Sequence, residues 1–373
     1  MACLFEFCPY RRPFKRPLST SHGIWDVREG IILRLTHETG QVGWGEIAPI
    51  PWFGSETLQQ ALDFCQQLPP QITATDVFSI PPVLPACQFG FESAWEMGNR
   101  ESGIGSRESG QGRQGRQGGQ RGQGGQRGQG GQGGQKVQGG QGRIYTETSQ
   151  QTALSSPSSL LSSYSLLPTP YSLQSLQSQI AYSYLLPAGE AALHSWKNSW
   201  HQGSRTFKWK IGVNPIEDEL KVFHQLIQAL PPSVQLRLDA NGGLSVKEAN
   251  QWLQASDEAG IVEFLEQPLT PKQFDAMLEM SGQYSTPIAL DESVATIDQL
   301  EECYQKGWRG IFVIKVAIAG SPKRLRQFCQ KHDIDTVFSS VFETAIGRQA
   351  ALQLATELSN PNRAVGFGVH HWF

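Results

Sequence analysis

Residues 206–212 read TFKWKIG, 234–240 VQLRLDA, 262–268 VEFLEQP, 287–292 PIALDE and 312–317 FVIKVA. Each is a short apolar run closing on a charge. Between them lie segments whose apolar residues recur at helical spacing, such as PIEDELKVFHQLIQAL at 215–230 and SVKEANQWLQAS at 245–256. Strands alternating with amphipathic helices predict a parallel sheet joined by right-handed βα crossovers. The closing charges, Lys210, Asp239, Glu266, Asp291 and Lys315, stand 29, 27, 25 and 24 residues apart. One strand, one helix and two short loops fill each interval. Every βα unit thus delivers one ionisable side chain to its strand's carboxyl end, the rim on which a (β/α)-barrel assembles an active site.

Three carboxylates in one pocket repel one another, and each is pushed toward protonation unless a cation sits among them. Oxygen ligands without Cys or His point to a hard ion, and Mg²⁺, with water and substrate oxygens completing its octahedron, suits them best. Such an ion lowers the energy of a developing enolate oxygen, and a lysine held near other cations loses its proton more easily. Together they permit proton abstraction from a carbon beside a carboxylate. Taken singly, each residue also has a purely structural reading. An Asp closing a strand caps the next helix, Glu266 binds a loop amide, and Lys208 with Lys210 forms one polar face. The phase with the βα repeat favours the functional reading.

Working outward, the chain of 373 residues carries a formal charge of −3, but a single segment distorts that figure. Residues 99–143 hold 8 of the 31 basic residues and only 2 of the 34 acidic ones, leaving the remainder near −9. A body this acidic is a poor partner for phosphate backbones, which argues against nucleic-acid binding by the folded part. From Gln111 to Gln141 a Gln falls at every third position with Gly filling most of the others. Arg121, Arg127 and Lys136 break the glycine phase and the tract has no proline, so it is not a collagen-like helix. With little apolar surface to bury, it is expected to be a flexible surface loop, as is the Ser/Leu/Gln-rich stretch that follows. Arginine-rich tracts also contact RNA, but this one offers no aromatic side chain for base stacking.

Ahead of the insert, GIILRLTHETGQVGWGEIAPI at 30–50 reads as strands turned at Gly40. SETLQQALDFCQQL at 55–68 reads as a helix capped by Ser55. The expected domains are therefore an α+β unit over 1–98, an insertion over 99–179 and a barrel over 180–373. No apolar run is long enough to span a bilayer, and the opening MACLFEFCPYRRPFKRPL lacks the charge order and cleavage site of an export signal, so a cytoplasmic protein is expected. The six cysteines lie scattered without a zinc-ligand spacing and read as reduced thiols. GFGVHHWF at 366–373 stops just past the expected eighth strand, so the tail is either short or incomplete.

The set KWK (208–210), LDAN (238–241), EFLEQP (263–268), LDES (290–293) and IK (314–315) resembles the enolase superfamily in its muconate-lactonizing subgroup. GWGEIAPIPWFGSET (43–57), YLLPAG (184–189) and SSVFETAIG (339–347) are similar to regions of the o-succinylbenzoate synthase family within it. The resemblance covers about 5–97 and 181–373. It implies an enolase-like (β/α)-barrel, that is, a modified TIM barrel, with an N-terminal α+β capping domain. It also implies a cytoplasmic lyase of menaquinone and phylloquinone biosynthesis. That enzyme dehydrates 2-succinyl-6-hydroxy-2,4-cyclohexadiene-1-carboxylate to 2-succinylbenzoate.

Carried over by position, the resemblance implies that Asp239, Glu266 and Asp291 bind Mg²⁺, which holds the substrate carboxylate. Lys210 would take the proton α to that carboxylate and return it to the departing hydroxyl. Lys208 would lend positive charge beside it, and Lys315 would stabilise the enediolate from the opposite wall. Among substrate contacts, Arg237 shares the inward face of Asp239 and either orients a ligand carboxylate or joins a buried ion pair. Asn241 would support the site from behind, while Ser339 and Ser340 would donate to the succinyl carboxylate. The 43–57 loop is expected to close over the pocket, with Ser21, His22 and Gly23 as a second flap.

Two other functions stay open. An N-succinylamino acid racemase on the same scaffold would use Lys210 and Lys315 as opposed bases. A non-catalytic interaction protein would use the Gly/Gln/Arg tract, although the full set of acidic and basic groups argues for an enzyme. The eighth strand lacks the DxD pair of a dipeptide epimerase, and the seventh offers no His base of the mandelate-racemase kind.

Overall fold

Eight short parallel strands run in the order β11-β10-β9-β8-β7-β6-β5-β12. They are β5 (Tyr182–Leu185), β6 (Thr206–Lys210), β7 (Gln235–Asp239), β8 (Val262–Glu266), β9 (Ile288–Leu290), β10 (Ile311–Ile314), β11 (Asp335–Phe338) and β12 (Val365–Gly368). The outer strands of that order meet where Ser339 bridges Gly366 in parallel and the Ser340 N–H donates to the Gly366 carbonyl at 3.1 Å, so the sheet closes into a barrel. This computed structural model describes residues 2–20, 23–99 and 180–369, which lie within one compact unit. The insertion from 100 onward and the proposed Ser21-His22 flap lie outside the described residues. Among those described, no helix is long and apolar enough to cross a membrane.

Helices follow the strands as the apolar spacing predicts. They are α4 (Ala192–His201), α5 (Ile216–Ala229), α6 (Val246–Ala259), α7 (Phe274–Ser281), α8 (Ile297–Gln305), α9 (Val316–Ala319), α10 (Pro322–Lys331) and α11 (Ala345–Leu358). Helix α6 starts on a capping box, Ser245 with Glu248, and ends at Gly260 in the left-handed conformation. Register explains the rim. Lys210 pairs with Asp239, and Asp239 pairs with Glu266, so consecutive strands end in one layer. Phe264, Ala289, Val313 and Val337, two residues below, and Ile311, four below, form a separate buried cluster that fills the barrel on the inward-facing period.

The N-terminal part is an antiparallel sheet of order β3-β2-β1-β4, formed by β1 (Ala2–Thr20), β2 (Gly23–His37), β3 (Val42–Ile47) and β4 (Gln71–Thr73). Gly40, at φ +82°, makes the β2–β3 turn as expected. Helices α1 (Leu58–Gln67), α2 (Ala74–Phe78) and α3 (Pro85–Gly98) complete it. One detail differs from expectation. Thr57, not Ser55, caps α1 through a capping box with Gln60, because the Ser55 hydroxyl instead accepts the Ile50 N–H at 2.7 Å. Helix α3 presses unusually close to β3. A Cβ on Gly43 would lie 1.8 Å from the Ala94 carbonyl oxygen, and one on Gly45 would lie 2.0 Å from that of Gly90.

This cap is fastened to the barrel by buried carboxylates and a part-buried ion pair. Glu46 of β3 is fully buried and accepts hydrogen bonds from the Thr344 and Gly347 N–H groups at the start of α11, both at 2.9 Å. A carboxylate there satisfies donors that the first turn of a helix leaves open. Glu92 of α3 accepts from the Lys323 N–H at 3.1 Å, and Arg326 of α10 pairs with Glu96 at 2.6 Å.

Candidate active site

The carboxyl ends of the strands open into a cavity of about 220 Å³. Lys208, Lys210, Asp239, Asn241, Asp291, Lys315, Ser339 and Ser340 all line it. Glu266, 1% exposed, lies just beneath and reaches the cluster through Lys208. Lys208 Nζ stands 2.8 Å from Asp239 Oδ2 and 2.7 Å from Glu266 Oε1, and Lys315 Nζ donates to both Asp291 oxygens. The lysines and carboxylates therefore interleave. Sequence spacing led us to expect three carboxylates around one ion with amines on the flanking walls. Instead one ammonium joins Asp239 to Glu266 and another holds Asp291. Among the described residues, no three acidic, His or Cys side chains are grouped, as they stand, to hold an ion.

The electrostatics show what this cluster demands. Burial and then the neighbouring Asp239 push the Glu266 carboxyl up to about 8, in spite of Lys208. Burial raises Asp291 to about 6 against the opposing pull of Lys315. Burial also disfavours the charged forms of Asp239 and Lys208, but each outweighs it in the other: the Asp239 carboxyl is held low and the Lys208 ammonium is held firmly charged. Glu292 adds a further acidic group, raised by burial, and its Oε2 is buried with no hydrogen-bond partner. Crowded carboxylates with an orphaned oxygen and only oxygen donors fit a hard divalent cation. Asp239, Glu266 and Asp291 are the residues that would hold it.

Local backbone geometry fixes these groups. Asn241, at φ +46°, turns its N–H onto Asp239 Oδ1 at 3.0 Å and its side-chain amide onto Glu292 Oε1 at 3.2 Å. Gln267, at φ +38° and fully buried, follows Glu266 directly. Its Oε1 accepts the Asp291 and Ser293 N–H groups at 2.9 and 3.1 Å, while its Nε2 donates to the Leu269 carbonyl and Ser293 Oγ at 2.8 and 2.7 Å. Non-glycine residues at positive φ cost energy and persist only where surroundings over-determine them. Both flank the acidic cluster.

Two expected substrate contacts are not available as donors. Arg237 is outside the cavity lining and is committed to Glu263, Nε to Oε2 at 2.6 Å, with Arg363 joining the same carboxylate at 2.8 Å. It is the buried ion pair, because the register break beside it brings Glu263 within reach. The Ser340 hydroxyl donates to Glu343, 2.8 Å from Oε2, and accepts the Phe342 N–H at 3.0 Å, so it holds the loop rather than a ligand. The Ser339 hydroxyl makes a long contact, 3.5 Å, to the Gly366 carbonyl.

Sequence reading did not single out the apolar wall. Trp25, Trp52 and Phe53 from the cap meet Phe342 from the loop after β11, with Trp25 edge-on to both Trp52 (5.1 Å between centroids) and Phe342 (5.5 Å). Phe53 also lies 3.8 Å from Lys315 Nζ across its ring face. The run PWF within the 43–57 loop was the available signal. Ile50, Trp52 and Phe53 of that loop line the cavity.

Residues 191–372 match the enolase C-terminal domain-like family, and residues 6–97 match the MenC N-terminal domain family. An o-succinylbenzoate synthase of Thermosynechococcus vestitus is 36% identical over 97% of this chain and 91% of its own length. The crystal structure of the o-succinylbenzoate synthase from Thermosynechococcus elongatus BP-1, complexed with Mg in its active site, superposes with a TM-score of 0.74. It is 35% identical, with 99% of this chain and 93% of that one covered. The N-succinyl Arg/Lys racemase of Bacillus cereus shares the fold at a TM-score of 0.66 and 14% identity, over 100% of this chain and 89% of that one. The chain belongs to the o-succinylbenzoate synthase family of the enolase superfamily.

Proposed function

We propose that this chain is a lyase that removes water from 2-succinyl-6-hydroxy-2,4-cyclohexadiene-1-carboxylate to give 2-succinylbenzoate, a step of menaquinone or phylloquinone biosynthesis. The observation that carries the reading is the arrival of Lys210 from β6 and Lys315 from just after β10 in one cavity with Asp239 and Asp291. Asp239, Glu266 and Asp291 would hold Mg²⁺, which when bound supplies positive charge to the substrate carboxylate. Lys210 takes the ring proton next to that carboxylate. The same nitrogen then gives the proton to the neighbouring hydroxyl, whose C–O bond breaks to release water and leave an aromatic ring. Lys315 sets a second ammonium against the negative charge that builds on the substrate between those two steps. Lys208 holds Asp239 and Glu266 at their working separation, and the aromatic wall gives the ring an apolar, water-poor surface.

Assay of the purified protein with Mg²⁺ and the cyclohexadiene substrate tests this directly. Lys210→Ala is expected to lower kcat by about 10²- to 10⁴-fold or more with the circular dichroism spectrum unchanged. An unaltered rate in that variant refutes the assignment. The presence of two lysines in one cavity also favours a second activity, racemisation of N-succinylamino acids. Loss of optical activity of an N-succinylamino acid, accompanied by deuterium incorporation at the α-carbon in D₂O, would report it.

A further inference from the structure

Asp239, Asp291 and Glu292 line the acidic end of this cavity with Glu266 just beneath, and the roles proposed above employ three of these four carboxylates. Glu292 is the fourth. It opens the short turn after Asp291 and lines the cavity. Its two oxygens are treated differently: Oε1 accepts the Asn241 side-chain amide at 3.2 Å, whereas Oε2 is buried without any hydrogen-bond partner. A buried carboxylate oxygen left unpaired costs free energy unless a ligand supplies the missing donor. Asn241, meanwhile, adopts a left-handed backbone at φ +46° and contacts Asp239 and Glu292 together. That strain is spent on tying one expected cation ligand to a carboxylate with no other task.

We infer that Glu292 is a positioning residue of the cation site, its free oxygen accepting a hydrogen bond from water in the hydration shell of the divalent ion while Asn241 holds it in place. The inference rests on the reading of Asp239, Glu266 and Asp291 as the cation's ligands. Mg²⁺ gives up its waters reluctantly and is commonly bound with several retained, so an acceptor for them adds affinity and fixes the ion's orientation. A mere excess of negative charge would not need the Asn241 contact. A hydrogen bond to a water does need it, since it depends on where the oxygen lies.

Calorimetric titration of the full chain with Mg²⁺ alone, without substrate, tests this. Glu292→Gln, nearly the same shape, is expected to weaken Mg²⁺ binding about tenfold or more, and Asn241→Ala, which keeps the charge but frees its position, several-fold. Glu292→Asp retains the charge and shortens the reach, so it is expected to stay as weak as Glu292→Gln. Thermal melts of the metal-free variants verify folding, and Asp239→Asn serves as the reference for the ligand set. Affinity within twofold of wild type in Glu292→Gln, or full recovery in Glu292→Asp, overturns the role of Glu292. Unchanged binding in Asp239→Asn overturns the cation site itself.

Discussion

Gln267 shows how a single uncharged side chain sets the geometry of the charged ones. Its amide oxygen takes the backbone N–H of Asp291 while its own backbone continues from Glu266, so two of the expected cation ligands, on neighbouring strands, are held by one residue. Gln267→Ala would orphan the buried N–H groups of Asp291 and Ser293 and the carbonyl of Leu269. At about 1–3 kcal/mol for an unsatisfied buried group, partly relieved by relaxation, the expected loss is roughly 2–4 kcal/mol. Urea denaturation of the metal-free protein reads this as a lowered midpoint at unchanged m-value. The charges at the strand ends were legible in the sequence because the βα repeat imposes a fixed interval on Lys210, Asp239, Glu266, Asp291 and Lys315. Which oxygen each ammonium would choose was not, since side-chain pairing depends on distances that spacing does not carry. Arg237 makes the same point. Its inward face was readable, but the register break that brings Glu263 to it was not.

Among the elements, α3 and β3 illustrate packing set by missing side chains. Gly43 and Gly45 alternate along β3 toward the helix, and Gly90 and Ala94 meet them from α3, so backbone lies against backbone. Gly45→Ala would place a methyl group 2.0 Å from a main-chain oxygen that cannot rotate away, forcing the helix to move. The expected cost is about 1–3 kcal/mol, seen as a fall in Tm, with the displacement opening the Glu46 contact to α11 behind it. Thr57→Ala belongs to the same scale. It removes the hydroxyl that accepts the Gln60 N–H and is expected to cost about 1 kcal/mol, whereas Ser55→Ala is expected to leave α1 intact. Strand and helix order could be read because hydrophobic period separates the two kinds of element cleanly in the barrel. The start of α1 was misplaced by two residues because Ser55 and Thr57 both suit a cap, and only the competing demand of the Ile50 N–H decides between them.

For the whole molecule, the decisive question is whether the cap and barrel depend on the segment between them. Helix α3, where the described stretch 23–99 ends, is anchored by Glu92 and Arg326 to α10. Strand β5, where the next begins, is hydrogen-bonded into the barrel between β12 and β6. Both ends are thus fixed by contacts that owe nothing to residues 100–179. Loop closure becomes easier as a connection shortens, by about 0.6 kcal/mol for each halving. Replacing 100–179 with a Gly/Ser linker of about fifteen residues is a little over two halvings, which gives roughly 1–2 kcal/mol if that composition behaves as a chain without packing of its own. The shortened protein is therefore expected to melt a few degrees higher than the full chain and to dehydrate the cyclohexadiene substrate with kcat/KM within about twofold. A lower Tm would mean that the Gly/Gln/Arg and Ser/Leu-rich stretches contribute contacts. An intact fold with lost turnover would instead assign them a part in catalysis, which neither their composition nor the anchoring of α3 and β5 predicts.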